Sequence, residues 1–141
     1  MFNPSRDQVR RYFVEAWRKH REGGIVEPLE DVAARIVALH PEYHALLESG
    51  EEALGRDFSP EAGQTNPFLH LSLHMAIEEQ LAIDQPPGIR AAFERILARA
   101  GDRHEALHAV LECLGETIWR AQREGKPLDG EAYLDCVRRK S

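Results

Sequence analysis

Long apolar runs are missing from this sequence, and none approaches the roughly 20 residues that a membrane-crossing helix requires. The first residues also lack the basic-then-apolar order of a signal peptide. Positive charge is in deficit, because 24 acidic residues against 18 lysines and arginines give a net charge of −6. Nucleic-acid binders need a basic face to neutralise phosphates. We therefore expect a cytoplasmic protein that binds neither membranes nor nucleic acids.

Cysteine is scarce as well, and the two cysteines, Cys113 and Cys136, match no disulfide or zinc-finger spacing. In a chain without an export signal, this spacing predicts free thiols in a reducing compartment. A glycine-rich phosphate loop, Gly-x-Ser-x-Gly and Cys-x-x-Cys are also absent, so the sequence offers no motif of the common nucleotide-binding, hydrolase or redox classes.

Helical periodicity is what the sequence has in abundance. Apolar residues recur at intervals of three and four, while no stretch alternates as a β-strand does. We therefore predict one all-α domain over residues 1–141, a bundle of about five to seven helices. The expected helices start near Asn3 to Ser5, at Pro28, at Pro41, at Pro67, at Ile89, at Arg103 and at Asp129, and a loop is expected from about Gly55 to Gln64.

Side-chain burial can be predicted from the same periodicity. Leu29 and Leu39 extend the apolar stripe of the second helix, so we expect both to face inward. The two tryptophans, Trp17 and Trp119, are expected to anchor the core. The helix that opens at Asn66-Pro67 is apolar on nearly every side, which is typical of a centrally buried helix.

Histidine is distributed in an unusual way. Six of the seven histidines occur in three copies of the spacing His-x3-His-x3-Glu. Steps of four place such side chains on one stripe of a helix, and imidazoles with a carboxylate are ligands for zinc, iron, manganese or nickel. The copies are His40/His44/Glu48, His70/His74/Glu78 and His104/His108/Glu112.

The second and third copies favour a metal site because of their position in the chain. Short turns join the helices in this part of the chain, so the helix with the second copy and the helix with the third copy should run parallel. Their histidine stripes can then lie at the same height along the two helices. We predict a transition-metal site formed by His70, His74, His104 and His108, with Glu78 and Glu112 as further ligands or supporting groups. In the first copy Pro41 breaks the helix at His40, so whether His40, His44 and Glu48 join the site stays open.

Two other interpretations fit the same residues. The histidines could form a buried hydrogen-bond network in a non-catalytic interaction module, whose apolar helices would partly pack in a homodimer. His104-Glu105-Ala106-Leu107-His108 also spells the zinc-protease pattern, with Glu105 as the general base. The further downstream ligand of such proteases is missing, and so is a sheet to align a substrate, which disfavours a protease.

Several segments of the chain match a known pattern. They are Asn66-Pro67-Phe68-Leu69-His70 with His74, Gln85-Pro86-Pro87-Gly88-Ile89, Glu112-Cys113-Leu114-Gly115-Glu116, His40-Pro41-Glu42-Tyr43-His44 and Trp119. Together they resemble a bacterial family, the one called domain of unknown function 1841. The resemblance extends from Asn3 to about Arg139. It implies a small bacterial cytoplasmic protein and brings no activity with it, so the metal hypothesis depends on the histidine spacing.

Overall fold

The computed structural model describes residues 6–55 and 66–141, and these residues form helices and turns with no β-strand. The all-α prediction is confirmed. The helices are α1 (Arg6–Arg21), α2 (Pro28–Ala38), a 3-10 turn (Pro41–Tyr43), α3 (His44–Glu48), α4 (Glu51–Gly55), α5 (Pro67–Ile83), α6 (Ile89–Ala100), α7 (Arg103–Glu124) and α8 (Gly130–Lys140).

The predicted helix boundaries agree closely with these bounds, except that α4 was not predicted. The expected start near Asn3 to Ser5 and most of the expected loop lie outside the described residues. Local chemistry explains the agreement at α5, where the Asn66 side chain accepts hydrogen bonds from the backbone N–H groups of Phe68 and Leu69 at 3.0 and 3.2 Å. Asn66 therefore caps the helix as the sequence predicts.

The chain divides into two compact units, Met1–Met75 and Ala76–Ser141. In the first unit α1 packs against α2, α3 and α4. Contrary to the prediction, Leu29 and Leu39 are 61% and 54% exposed, because they sit at the two ends of α2, past the part of its stripe that faces α1. The core of this unit consists of Phe13, Ala16, Trp17, Ala33, Ile36, Val37, Leu47, Phe68 and Leu71.

In the second unit α6, α7 and α8 pack against one another. Cys113 of α7 and Cys136 of α8 form a disulfide with a Cα–Cα distance of 5.7 Å. The prediction of free thiols is therefore wrong, because helix packing brings together cysteines whose spacing in the sequence carries no disulfide signal. Trp119 is 56% exposed and lies against the guanidinium of Arg123 at 4.5 Å, so the prediction that it anchors the core is also wrong.

None of the described helices has both the length and the apolar character that a membrane span requires.

Candidate metal centre

Three histidines of the first unit converge. Nε2 of His70 lies 3.2 Å from Nε2 of His40 and 3.3 Å from Nε2 of His74. Each of the three rings has one nitrogen that could bind a metal ion, and these nitrogens all lie within 4.8 Å of one another. His40 and His74 are 2% and 1% exposed, and His70 is partly buried. We call His40, His70 and His74 the histidine cluster.

Two elements position the cluster. His70 and His74 lie one helical turn apart on α5, so their side chains share a face of that helix. His40 lies in the break between α2 and the 3-10 turn that begins at Pro41. Pro41, which interrupts the first copy of the spacing, therefore ends α2 and leaves His40 outside a helix, where its ring reaches α5.

The backbone fixes the orientation of the His40 ring. Its Nδ1 lies 2.7 Å from the carbonyl oxygen of Ile36, and since a carbonyl only accepts, Nδ1 carries the proton. In the neutral ring Nε2 then keeps its lone pair, which faces His70. A ligating histidine commonly donates its other N–H to a carbonyl in this way, because this fixes the tautomer. The sequence alone leaves the role of His40 open, and the signal for it in the sequence is the helix break at His40-Pro41.

His44 has a different environment. Its Nε2 donates to the carbonyl oxygen of Val37 at 2.8 Å, and its ring packs against Trp17 with a centroid distance of 4.5 Å. Glu48 forms an exposed ion pair with Arg21 at 3.6 Å. The first copy of the spacing therefore contributes His40 to the cluster, while His44 and Glu48 make other contacts.

Tyr43 borders the cluster. Its ring stacks on His40 at a centroid distance of 5.5 Å and meets the edge of His70 at 5.9 Å. Burial raises the pKa of the Tyr43 phenol, and the nearby Glu42 carboxylate raises it further. The phenol therefore stays neutral at physiological pH, so the Tyr43 ring that borders His40 and His70 carries no charge.

The predicted carboxylate ligands have cationic partners within the second unit. The two oxygens of Glu78 accept hydrogen bonds from the Arg103 guanidinium at 2.8 and 3.0 Å, which raises the Arg103 pKa. Glu112 forms an ion pair with Lys140. Each of these carboxylates is therefore balanced by a cation, which makes it a weaker candidate ligand than the imidazoles.

The third histidine pair is on α7. The rings of His104 and His108 lie 4.2 Å apart between centroids, and both side chains are partly buried. The spacing of four residues brings the two rings onto one face of the helix, as predicted.

Glu105, the base of the alternative protease pattern, is exposed in the first turn of α7, where its N–H donates to the Asp102 cap at 3.3 Å.

Comparison with known proteins identifies a matching family. The family described as "Domain of unknown function (DUF1841)" matches residues 5–139. Neither the curated proteins nor the solved structures include a significant match to the chain. Because the family match covers nearly the whole sequence, the chain belongs to the DUF1841 family.

Proposed function

We propose that this protein binds a transition-metal ion through the Nε2 atoms of His40, His70 and His74. The observation that carries the proposal is the pair of nitrogen–nitrogen distances, 3.2 and 3.3 Å. With metal–nitrogen bonds of about 2.0–2.1 Å, two ligands of a tetrahedral ion lie about 3.3–3.4 Å apart. The His40–His70 and His70–His74 nitrogen pairs therefore already lie at nearly the separation that one ion imposes.

Protonation chemistry supports the same proposal. A neutral imidazole nitrogen carries either a proton or a lone pair. Nε2 of a neutral His40 is an acceptor, so a His70 Nε2 that accepted from His74 would face His40 lone pair to lone pair at 3.2 Å. A His70 Nε2 that donated has a single proton to give, either to His40 or to His74. A cation among the three nitrogens removes this conflict, since all three lone pairs can bind it.

We propose that the second unit supplies the fourth ligand. His108 is the preferred residue, on the ground that α7 and α5 are predicted to run parallel and to set their histidine stripes level. His104, Glu78 and Glu112 remain in the proposal as supporting groups or as ligands of a second ion. Imidazole ligands suit zinc, iron and nickel, and manganese is retained as a fourth possibility because carboxylates would favour it.

The ligand number would decide the chemistry. Four histidines would close a tetrahedral site, as in structural zinc centres, whereas three would leave a position for water or a substrate. A water molecule in that position could be activated for hydrolytic or redox chemistry. The proposal covers metal binding and names no reaction.

The alternative is that the cluster is a structural hydrogen-bond network in an interaction or oligomerisation module. It uses the same three rings and needs no metal, and a homodimer would fit it. We also propose that the protein is cytoplasmic and has no nucleic-acid partners. The two functions differ in one measurable property, which is the affinity of the folded chain for a metal ion.

Metal titration of protein purified without an affinity tag tests the proposal. We expect Co²⁺ to bind with the absorption bands of a tetrahedral site and Zn²⁺ to displace it. His74→Ala should weaken binding by at least about tenfold, since second-shell changes alone cost about 10–100-fold. His20→Ala is the matched control, because this exposed histidine lies on α1 and stacks on Trp17. Equal affinity of the two variants would overturn the proposal.

A further inference from the structure

The Cys113–Cys136 disulfide of the second unit is not used by the proposed metal site. We propose that it is a reversible thiol–disulfide site, opened by a low-molecular-weight thiol that attacks the sulfur of Cys136. This inference stands on contacts within the second unit and does not depend on metal binding.

The two cysteines differ in exposure. Cys113 is 0% exposed and lies among the buried side chains of α7, including Val110 and Leu114. Cys136 is partly exposed on α8. The rate of thiol–disulfide exchange depends on which sulfur an attacking thiolate can reach. An external thiol therefore meets Cys136 first, and Cys113 becomes the leaving group.

Contacts other than the disulfide also hold α8 in the second unit. Tyr133, Leu134 and Val137 of α8 are buried, and the Tyr133 hydroxyl donates to Oε1 of Gln80 at 2.6 Å. Lys140 of α8 also pairs with Glu112 of α7, one residue from Cys113. These contacts keep α8 in place after reduction, so the two thiols stay close enough to form the bond again.

Each step of the exchange is balanced. The thiolate of the small molecule bonds to Sγ of Cys136, the sulfur–sulfur bond breaks, and its electron pair goes to Sγ of Cys113, which takes up a proton. A second thiolate of the same small molecule then attacks the mixed disulfide at the sulfur that came from the first small molecule. Cys136 leaves as a thiolate and takes up a proton, and the small molecule departs as its oxidised dimer. In a compartment that keeps thiols reduced, a disulfide of this kind is transient.

The regiochemistry of attack can be measured on the unmodified chain. Oxidised protein is treated with limiting glutathione under native conditions, quenched with acid and mapped by mass spectrometry. We expect glutathione on Cys136, complete reduction at higher glutathione concentrations, and unchanged helicity by circular dichroism. Glutathione on Cys113, or reduction only after the protein is unfolded, would overturn the proposal and make the bond purely structural.

Two single variants provide matched reactivity measurements. In Cys113→Ser the remaining Cys136 thiol should react with a chromogenic disulfide at least about ten times faster than Cys113 does in Cys136→Ser, since access controls the rate. Denaturant should remove the difference. Comparable rates in the two folded variants would contradict the assigned roles, and the mapping of the unmodified chain decides the question if either variant fails to fold.

Discussion

Nε2 of His40 and Nε2 of His70 lie 3.2 Å apart although 30 residues separate them in the sequence. This contact links the break after α2 to the first turn of α5, within the first unit. At this distance the two nitrogens must share either one proton, as an N–H donor and its acceptor, or one metal ion. The predictions about the site follow from that requirement.

Buried and exposed histidines should differ in their effect on stability. His74→Ala removes a side chain that is 1% exposed and leaves its polar neighbours buried, so we expect a loss of about 1–3 kcal/mol in the free energy of unfolding. His20→Ala removes an exposed ring from α1 and should cost less. Urea unfolding without added metal measures both values. Equal losses would argue against a central role for His74.

Substitutions of His40 and His44 should have different effects on metal affinity. His40→Ala removes a proposed ligand and should weaken metal binding at least about tenfold. His44→Ala removes a ring that is bonded to the Val37 carbonyl and packed on Trp17, so it should lower stability while leaving metal affinity nearly unchanged. The reverse pattern would assign the ligand to His44 and refute the role of His40.

Acid stability should depend on Asp84. The backbone N–H of Arg90, at 3.0 Å, and that of Gly88 donate to its carboxylate and lower the Asp84 pKa. A lowered folded-state pKa contributes stability above the unfolded value of about 3.9, and the contribution is lost as the pH falls through the folded-state value.

Asp84→Asn keeps an oxygen acceptor but has no charge to lose. We therefore expect the variant to lose less stability than the unmodified protein between about pH 6 and pH 3. Urea unfolding at several pH values measures how the free energy of unfolding falls with pH in the two proteins. An equal fall in both would show that Asp84 contributes nothing to acid sensitivity.

Unfolding should be cooperative over the whole chain. Helix α5 begins in the first unit and ends in the second, so separate melting of the units would require this helix to break within its length. We expect a single transition in helicity, coincident with the fluorescence change of buried Trp17. Two resolved transitions would contradict the prediction of one domain for residues 1–141.

The helices could be predicted from the sequence because their signals are local. Asn66-Pro67 marks the start of α5, and Asp102 caps α7 through the N–H of Glu105. His70 and His74 were assigned to the site because a spacing of four makes them neighbours on any helix.

The remaining features depend on contacts between residues distant in the sequence. The ring of His40 reaches α5 only because α2 ends where it does, and Arg103 binds Glu78 across 25 residues. The Cys113–Cys136 bond and the exposed position of Trp119 depend on how α7 packs against its neighbours, which periodicity along one helix does not determine.

Metal content tests the central claim most directly. The protein, purified without an affinity tag, should contain about one equivalent of a single transition metal, and adding Zn, Mn, Fe or Ni to the metal-free chain should raise its melting temperature. Less than about 0.2 equivalents of any such metal, with no thermal shift on addition, would contradict the metal site and leave the histidines as a structural network.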